Sequence, residues 1–174
     1  MLSEATRLKE NCKHILQLFC LLLELPTALL LNFATIMSRI VAIDYGKKRT
    51  GIAVTDPLQL IANGLTTVAT SELFDFVMDY VRREPVERIL VGLPKQMNNQ
   101  PSENMKNITP FVNRLRKALP DMPVEFVDER FTSVLAHQAM LDGGLKKKDR
   151  QNKALVDEIS ATIILQSYLE SKRM

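Results

Sequence analysis

Acidic side chains at three separate places in the chain stand where they could be aimed at a metal ion or a phosphate. Asp44 closes an apolar run, Ile40-Val41-Ala42-Ile43, and a glycine-bounded basic turn, Tyr45-Gly46-Lys47-Lys48-Arg49-Thr50-Gly51, leads into a second run at Ile52-Ala53-Val54. Taken alone this is a hairpin whose Asp opens an Asx turn. The second place is Asp128-Glu129, at the end of Val124-Glu125-Phe126-Val127. Side chains alternate along a strand, so Phe126 and Asp128 point one way and Val127 and Glu129 the other, and only one of the two acids can join Asp44. The plainer reading is a helix cap from Asp128 or Thr132, with Glu129 paired to Arg130 in solvent. The third is Asp157, one turn into a segment that is apolar almost all round, with Ser160, Ala161 and Ile164 on its own helical face. A helix dipole favours an acid there, yet a carboxylate looking along an apolar strip is expensive to bury without a cation. Glu158 is the solvated neighbour.

Carboxylates from a first strand, a later strand and a last helix supply the hard oxygen ligands that Mg2+ or Mn2+ takes. Ions held this way activate a water and stabilise the leaving oxygen in phosphodiester hydrolysis. Zinc is not indicated: His14 and His137 are isolated, and the two cysteines, Cys12 and Cys20, both lie in the first segment. His137 reads as a helix-face residue.

The elements that must position these acids can be traced from residue 39 onward. Residues 39–44 and 51–55 are separated by a short turn and pair antiparallel, and 64–68 adds a third strand after Asp56-Pro57. Thr70 or Ser71 caps a helix in which Leu73, Phe74, Val77, Met78 and Val81 recur at helical spacing before Pro85. Residues 88–92 form a short buried strand. Residues 102–119 form a second helix with a kink at Pro110, and 124–128 form the last strand. A third helix over 132–142 ends at Gly143-Gly144, and after a basic loop a final helix runs over about 154–171. A meander followed by helix-strand-helix-strand gives an α/β fold: a mixed five-stranded sheet, three strands antiparallel and two parallel, with helices on both faces. Ligands in such sheets collect at the carboxyl ends of parallel strands, where Asp44, Gly92 and Asp128-Glu129 fall.

A chain of 174 residues suits one such domain. Without cysteine beyond residue 20 the body has no disulfide, which fits a reducing, cytoplasmic setting. Lys plus Arg number 23 against 20 for Asp plus Glu, an excess that permits a polyanionic partner without demanding one. Residues 1–37 read differently, as an apolar leader before a domain over 38–174. The run from Ile15 to Phe33 resembles a signal peptide or short anchor. Glu24 and Pro26 interrupt it, however, and a carboxylate at bilayer depth costs about 2.5–3.5 kcal/mol. No membrane partner is expected, and Met37-Ser38-Arg39 looks like the natural start, with residues 1–36 an upstream translation.

Several motifs in order carry a resemblance: Ile43-Asp44-Tyr45-Gly46, Arg49-Thr50-Gly51-Ile52-Ala53, Val91-Gly92-Leu93-Pro94, Asp128-Glu129-Arg130-Phe131-Thr132-Ser133 and Val156-Asp157-Glu158-Ile159-Ser160-Ala161. Over about residues 38–169 the chain resembles the YqgF family. The resemblance implies a ribonuclease H-like fold related to Holliday junction resolvases, and a nuclease acting at the 5′ end of pre-16S ribosomal RNA. It also implies an acidic triad at Asp44, Glu129 and Asp157, all present here. The apolar leader departs from the family pattern.

For the nucleic acid, Lys47, Lys48, Arg49 and Arg130 are the expected phosphate contacts. A basic stretch, Lys146-Lys147-Lys148 and residues 150–153, could close over it or remain a solvated loop. With few aromatics and no Trp, reading of single strands by base stacking is not suggested. A sugar-kinase-like phosphotransferase also begins with Asp-x-Gly on a strand, but needs two such domains and a longer chain. A branched DNA junction is the other substrate in view, and a non-catalytic nucleic-acid-binding assembly factor the other class. A junction enzyme would work as a symmetric homodimer, so oligomeric state separates these readings. N-terminal sequencing of the native protein is expected to find a start near Met37; a mature terminus well upstream would overturn the leader assignment.

Overall fold

Alternation along the first apolar run sorts its side chains between two cores. The computed structural model describes residues 37–93, 103–128 and 132–173, and there the run forms β1 (Arg39–Tyr45). Val41 and Ile43 are buried in one apolar cluster, and Ile40 and Ala42 in another. β1 pairs antiparallel with β2 (Arg49–Thr55), and β2 antiparallel with β3 (Ala62–Ala69). From there α1 (Leu73–Arg83) leads to β4 (Val86–Leu93), which lies parallel to β1. In the same way α2 (Met105–Ala118) leads to β5 (Val124–Asp128), parallel to β4. The strand order β3-β2-β1-β4-β5 is the expected mixed sheet. The chain finishes with α3 (Thr132–Asp142), the single turn α4 (Lys147–Arg150) and the long α5 (Lys153–Arg173).

Helical spacing decides how the faces are covered. Leu73, Val77 and Tyr80 of α1 and Ile108, Val112 and Leu115 of α2 recur every three or four residues, and they bury the Val41 and Ile43 side of the sheet. Ala161, Ile164, Leu165 and Leu169 of α5 do the same on the other side, against Ile40, Ala42, Ala53 and Leu90. The sheet is small-residued where α5 begins: Ala42 pairs with Ala53, and Asp44 with Gly51. A Cβ at Gly51 would overlap the backbone carbonyl of Asp157. The missing side chain is therefore what lets the start of α5 lie down on β2.

The ends of the elements hold some surprises. Thr70 and Ser71 do not cap α1; Glu72 occupies the cap position without a side-chain hydrogen bond. The Thr70 hydroxyl is used elsewhere, donating to the Gly46 carbonyl at 2.8 Å and lying 3.0 Å from the Thr50 hydroxyl, so it ties down the β1–β2 turn. Pro110 does lie inside α2, which begins at Met105; Ser102 is outside the described residues. α3 stops as its glycines foretell. Gly144 adopts a φ of +70°, and the Leu145 N–H returns to the Met140 carbonyl at 3.0 Å. The basic stretch after it is not a plain loop, since it contains α4, and the Asn152 side chain accepts from the Ala154 N–H at 3.1 Å to open α5. Among the described residues no helix is long and apolar enough to cross a membrane. The proposed leader, residues 1–36, lies outside them.

Gly51→Ala is expected to destabilise the protein by about 1–3 kcal/mol or more, because backbone cannot rotate out of the way. Gly64→Ala is expected to lose less, since its Cβ would meet only the movable end of the Glu158 side chain. Urea denaturation of both variants checks the contrast; equal midpoints would contradict the tight α5–β2 approach.

Candidate active site

Asp44 sits near the carboxyl end of β1 and, two residues on from Ala42 in the alternating pattern, faces α5. What it meets there is Asp157 and Ser160. Burial pushes its carboxyl up from 3.8 to about 6, the Asp157 charge adds to the rise, and a hydrogen bond from the Ser160 hydroxyl partly opposes it. Ser160 itself is buried. Sequence had placed Ser160 on the helical face of Asp157, but gave no sign that its hydroxyl serves Asp44.

Asp157 is held on its other side. The Arg49 Nε lies 3.1 Å from its Oδ2, a pairing between side chains that are 41% and 27% exposed. Arg49 was expected to contact phosphate; here it opens β2 as the counter-charge of an acid. Lys47 and Lys48 stand exposed on the β1–β2 turn, and neither has an ion pair among the described residues. Glu129 and Arg130 lie outside the described residues. The strand before them bears on the choice between adjacent acids. Val127 packs with the α5 cluster, so Asp128 stands on the opposite face of the sheet from Asp44.

Beside Asp157 opens a cleft of about 460 Å³, lined by Arg49, His137, Arg150, Gln151, Lys153, Val156 and Asp157. His137 is a helix-face residue as expected, but that face gives on to the cleft. Spacing along α3 could not reveal this, because it depends on how α3 packs against α5.

The acidic pair suits a hard divalent cation. Both donors are carboxylates, and Asp44 is a half-buried acid whose ionisation is opposed by burial and by the Asp157 charge and only partly favoured by Ser160, so a nearby cation would relieve the remaining cost. Among the described residues no group of three or more His, Cys, Asp or Glu side chains forms a complete cluster.

The mixed five-stranded sheet, with Asp44 near the carboxyl end of its first strand and the last helix laid across it, is a ribonuclease H-like fold. The structure of Thermus thermophilus RuvC in complex with a Holliday junction substrate has that fold, with a TM-score of 0.50 and 17% identity over 78% of this chain and 96% of that one. The model of the family described as "RuvX: Holliday junction resolvase" matches residues 38–171, and the chain belongs to that family. A Phocaeicola vulgatus protein is 83% identical over 137 residues, covering 79% of this chain and 99% of the relative. A Bacteroides fragilis protein is 78% identical over 138 residues, covering 79% of this chain and all of the relative. Both are described as "Putative pre-16S rRNA nuclease".

The raised Asp44 carboxyl has a consequence for stability. Since the folded protein holds this proton more tightly than the unfolded chain, the contribution is fully present below about pH 4 and is lost as pH rises through about 6. In the metal-free protein Asp44→Asn is expected to raise stability at pH 7 by about 1–3 kcal/mol, and to flatten the decline between about pH 4 and pH 6. Thermal melts across that range check it; a variant that is less stable at pH 7 would show that the carboxylate is compensated.

Proposed function

We propose that this chain is a cytoplasmic, metal-dependent nuclease that hydrolyses phosphodiester bonds, acting in 5′-end processing of pre-16S ribosomal RNA. The observation that carries the reading is the meeting of Asp44 with Asp157, two acids far apart in sequence, one of them with its carboxyl pushed up to about 6. It is supported by family membership and by the description of relatives about 80% identical. Asp44 and Asp157 hold Mg2+ or Mn2+, with Glu129 as the third ligand on the strength of strand alternation and the family motif. The bound ion would supply an activated water and charge stabilisation for the leaving oxygen. The activity belongs to residues 38–174.

The protein's own groups do the rest. Ser160 fixes the Asp44 carboxylate by donating to it. Arg49, close against Asp157, keeps a guanidinium at the edge of the acidic pair, where it orients a phosphate oxygen. Lys47 and Lys48, exposed on the turn next to Asp44, contact flanking phosphates, as does Arg130.

The test uses the full chain with a labelled pre-16S 5′ fragment and a four-way DNA junction, in Mg2+ or Mn2+, beside Asp44→Asn and Asp157→Asn. Cleavage of the RNA fragment that depends on the ion and falls on the order of 10²-fold or more in either variant is the expected result. Cleavage of the junction alone, by a dimer, would transfer the protein to branched DNA. Binding without cleavage, unaltered in both variants, would make it a non-catalytic assembly factor.

A further inference from the structure

The cleft beside Asp157 carries more positive charge than the acids account for. Arg49 is already paired with Asp157, yet Arg150 and Lys153 line the same cleft, and neither has an ion pair among the described residues. The Arg150 Nε is buried without a hydrogen-bond partner, the one side-chain nitrogen or oxygen so placed among the described residues. Buried donors are nearly always satisfied, so the orphaned nitrogen shows that no described group of the fold holds this guanidinium by its Nε, and the residue lines the cleft. Arg150 is also positioned by structure. Its own N–H donates to the Lys146 carbonyl at 3.1 Å, closing the α4 turn, and Asn152 starts α5 two residues later.

The chemistry of the lining narrows the ligand. Among the described residues of the lining Asp157 is the one carboxylate, and Arg49 answers it; Arg150, Lys153, His137 and Gln151 are all able to donate. Such a site takes an anion, and the fork of arginine donors matches phosphate oxygens. A volume of about 460 Å³ leaves room for the phosphate with its sugar, and Val156 supplies an apolar wall.

We infer that this cleft is a second phosphate site, which grips a backbone phosphate of the nucleic acid on the α3–α4 side of the Asp44–Asp157 pair through Arg150 and Lys153. It rests on the nuclease reading in that it needs a nucleic-acid substrate. Its role is to set the register of the strand, so that the bond to be cut is presented at the acids while a neighbouring phosphate is held one step to the side.

Fluorescence anisotropy tests this, with the full chain, EDTA to prevent cleavage, and a fluorescein-labelled single-stranded RNA from the pre-16S 5′ region, over a series of salt concentrations. Arg150→Gln is expected to weaken binding about tenfold, and to lower the slope of log K against log salt by about 0.7, as loss of one phosphate contact requires. Lys153→Gln should lower the slope in the same way, and it decides the matter if Arg150→Gln loses its thermal unfolding transition. Arg82→Gln, which alters an exposed pair with Asp79 on α1, is the control. Folded Arg150 and Lys153 variants with the unaltered slope would overturn the second site and leave the nuclease reading standing. Failure of the unaltered protein to bind the RNA at all would sink both.

Discussion

The approach of α5 to the sheet at Gly51 is the contact on which the site depends. Gly51 is the cross-strand partner of Asp44, and its absent side chain leaves the space taken by the Asp157 backbone. One packing distance thus brings two carboxylates, from the first strand and the last helix, into each other's field. The same stretch of sheet offers Ala42 and Ala53 to α5, while the bulkier Val41, Ile43, Ile52 and Val54 go to the opposite face. Strand alternation therefore does two jobs. It builds a large-residue core under α1 and α2, and it keeps the α5 side shallow enough for a helix terminus to reach the acid.

Crowding two acids in this way leaves a charge imbalance that the surrounding groups only half correct. Arg49 answers Asp157, and the Ser160 hydroxyl donates to Asp44, yet burial and the neighbouring carboxylate still dominate at Asp44. A site arranged for folding alone would place an amide or an apolar group there. Local electrostatics at odds with stability are common where a protein has a ligand to bind, and here the sign of the conflict asks for a cation.

Much of this was legible in the chain. Alternation and turn residues marked the five strands, and Gly143-Gly144 marked the end of α3, because these are local rules acting on local residues. The acids at 44 and 157 stood out for a similar reason, one at the tip of an apolar run and the other on an apolar helical face. What escaped was set by distant partners. Thr70 had the chemistry of a helix cap but was claimed by the β1–β2 turn, 24 residues away from its bond to Gly46. Arg49 stood out as a basic residue of the turn, but its pairing with Asp157, 108 residues along the chain, was not foreseen. The short α4 was hidden inside a basic stretch whose composition resembles a solvated loop, and His137 showed its helix but not what the helix faces.

The formal charge of +3 says almost nothing about how such a protein would meet a polyanion, because the fold redistributes it. Asp44 and Asp157 alone would repel a phosphate backbone. Around them, however, the β1–β2 turn exposes Lys47 and Lys48, β2 opens with Arg49, and the α4–α5 junction adds Arg150 and Lys153. These cations come from two chain segments that the sheet and α5 bring to the same end of the molecule. Arg49, Arg150 and Lys153 line the cleft beside Asp157, so at least that acid is not presented bare. On the proposed reading, attraction of the strand and binding of the ion would fall to different residues, so that a small shift in the balance of either set need not disturb the other.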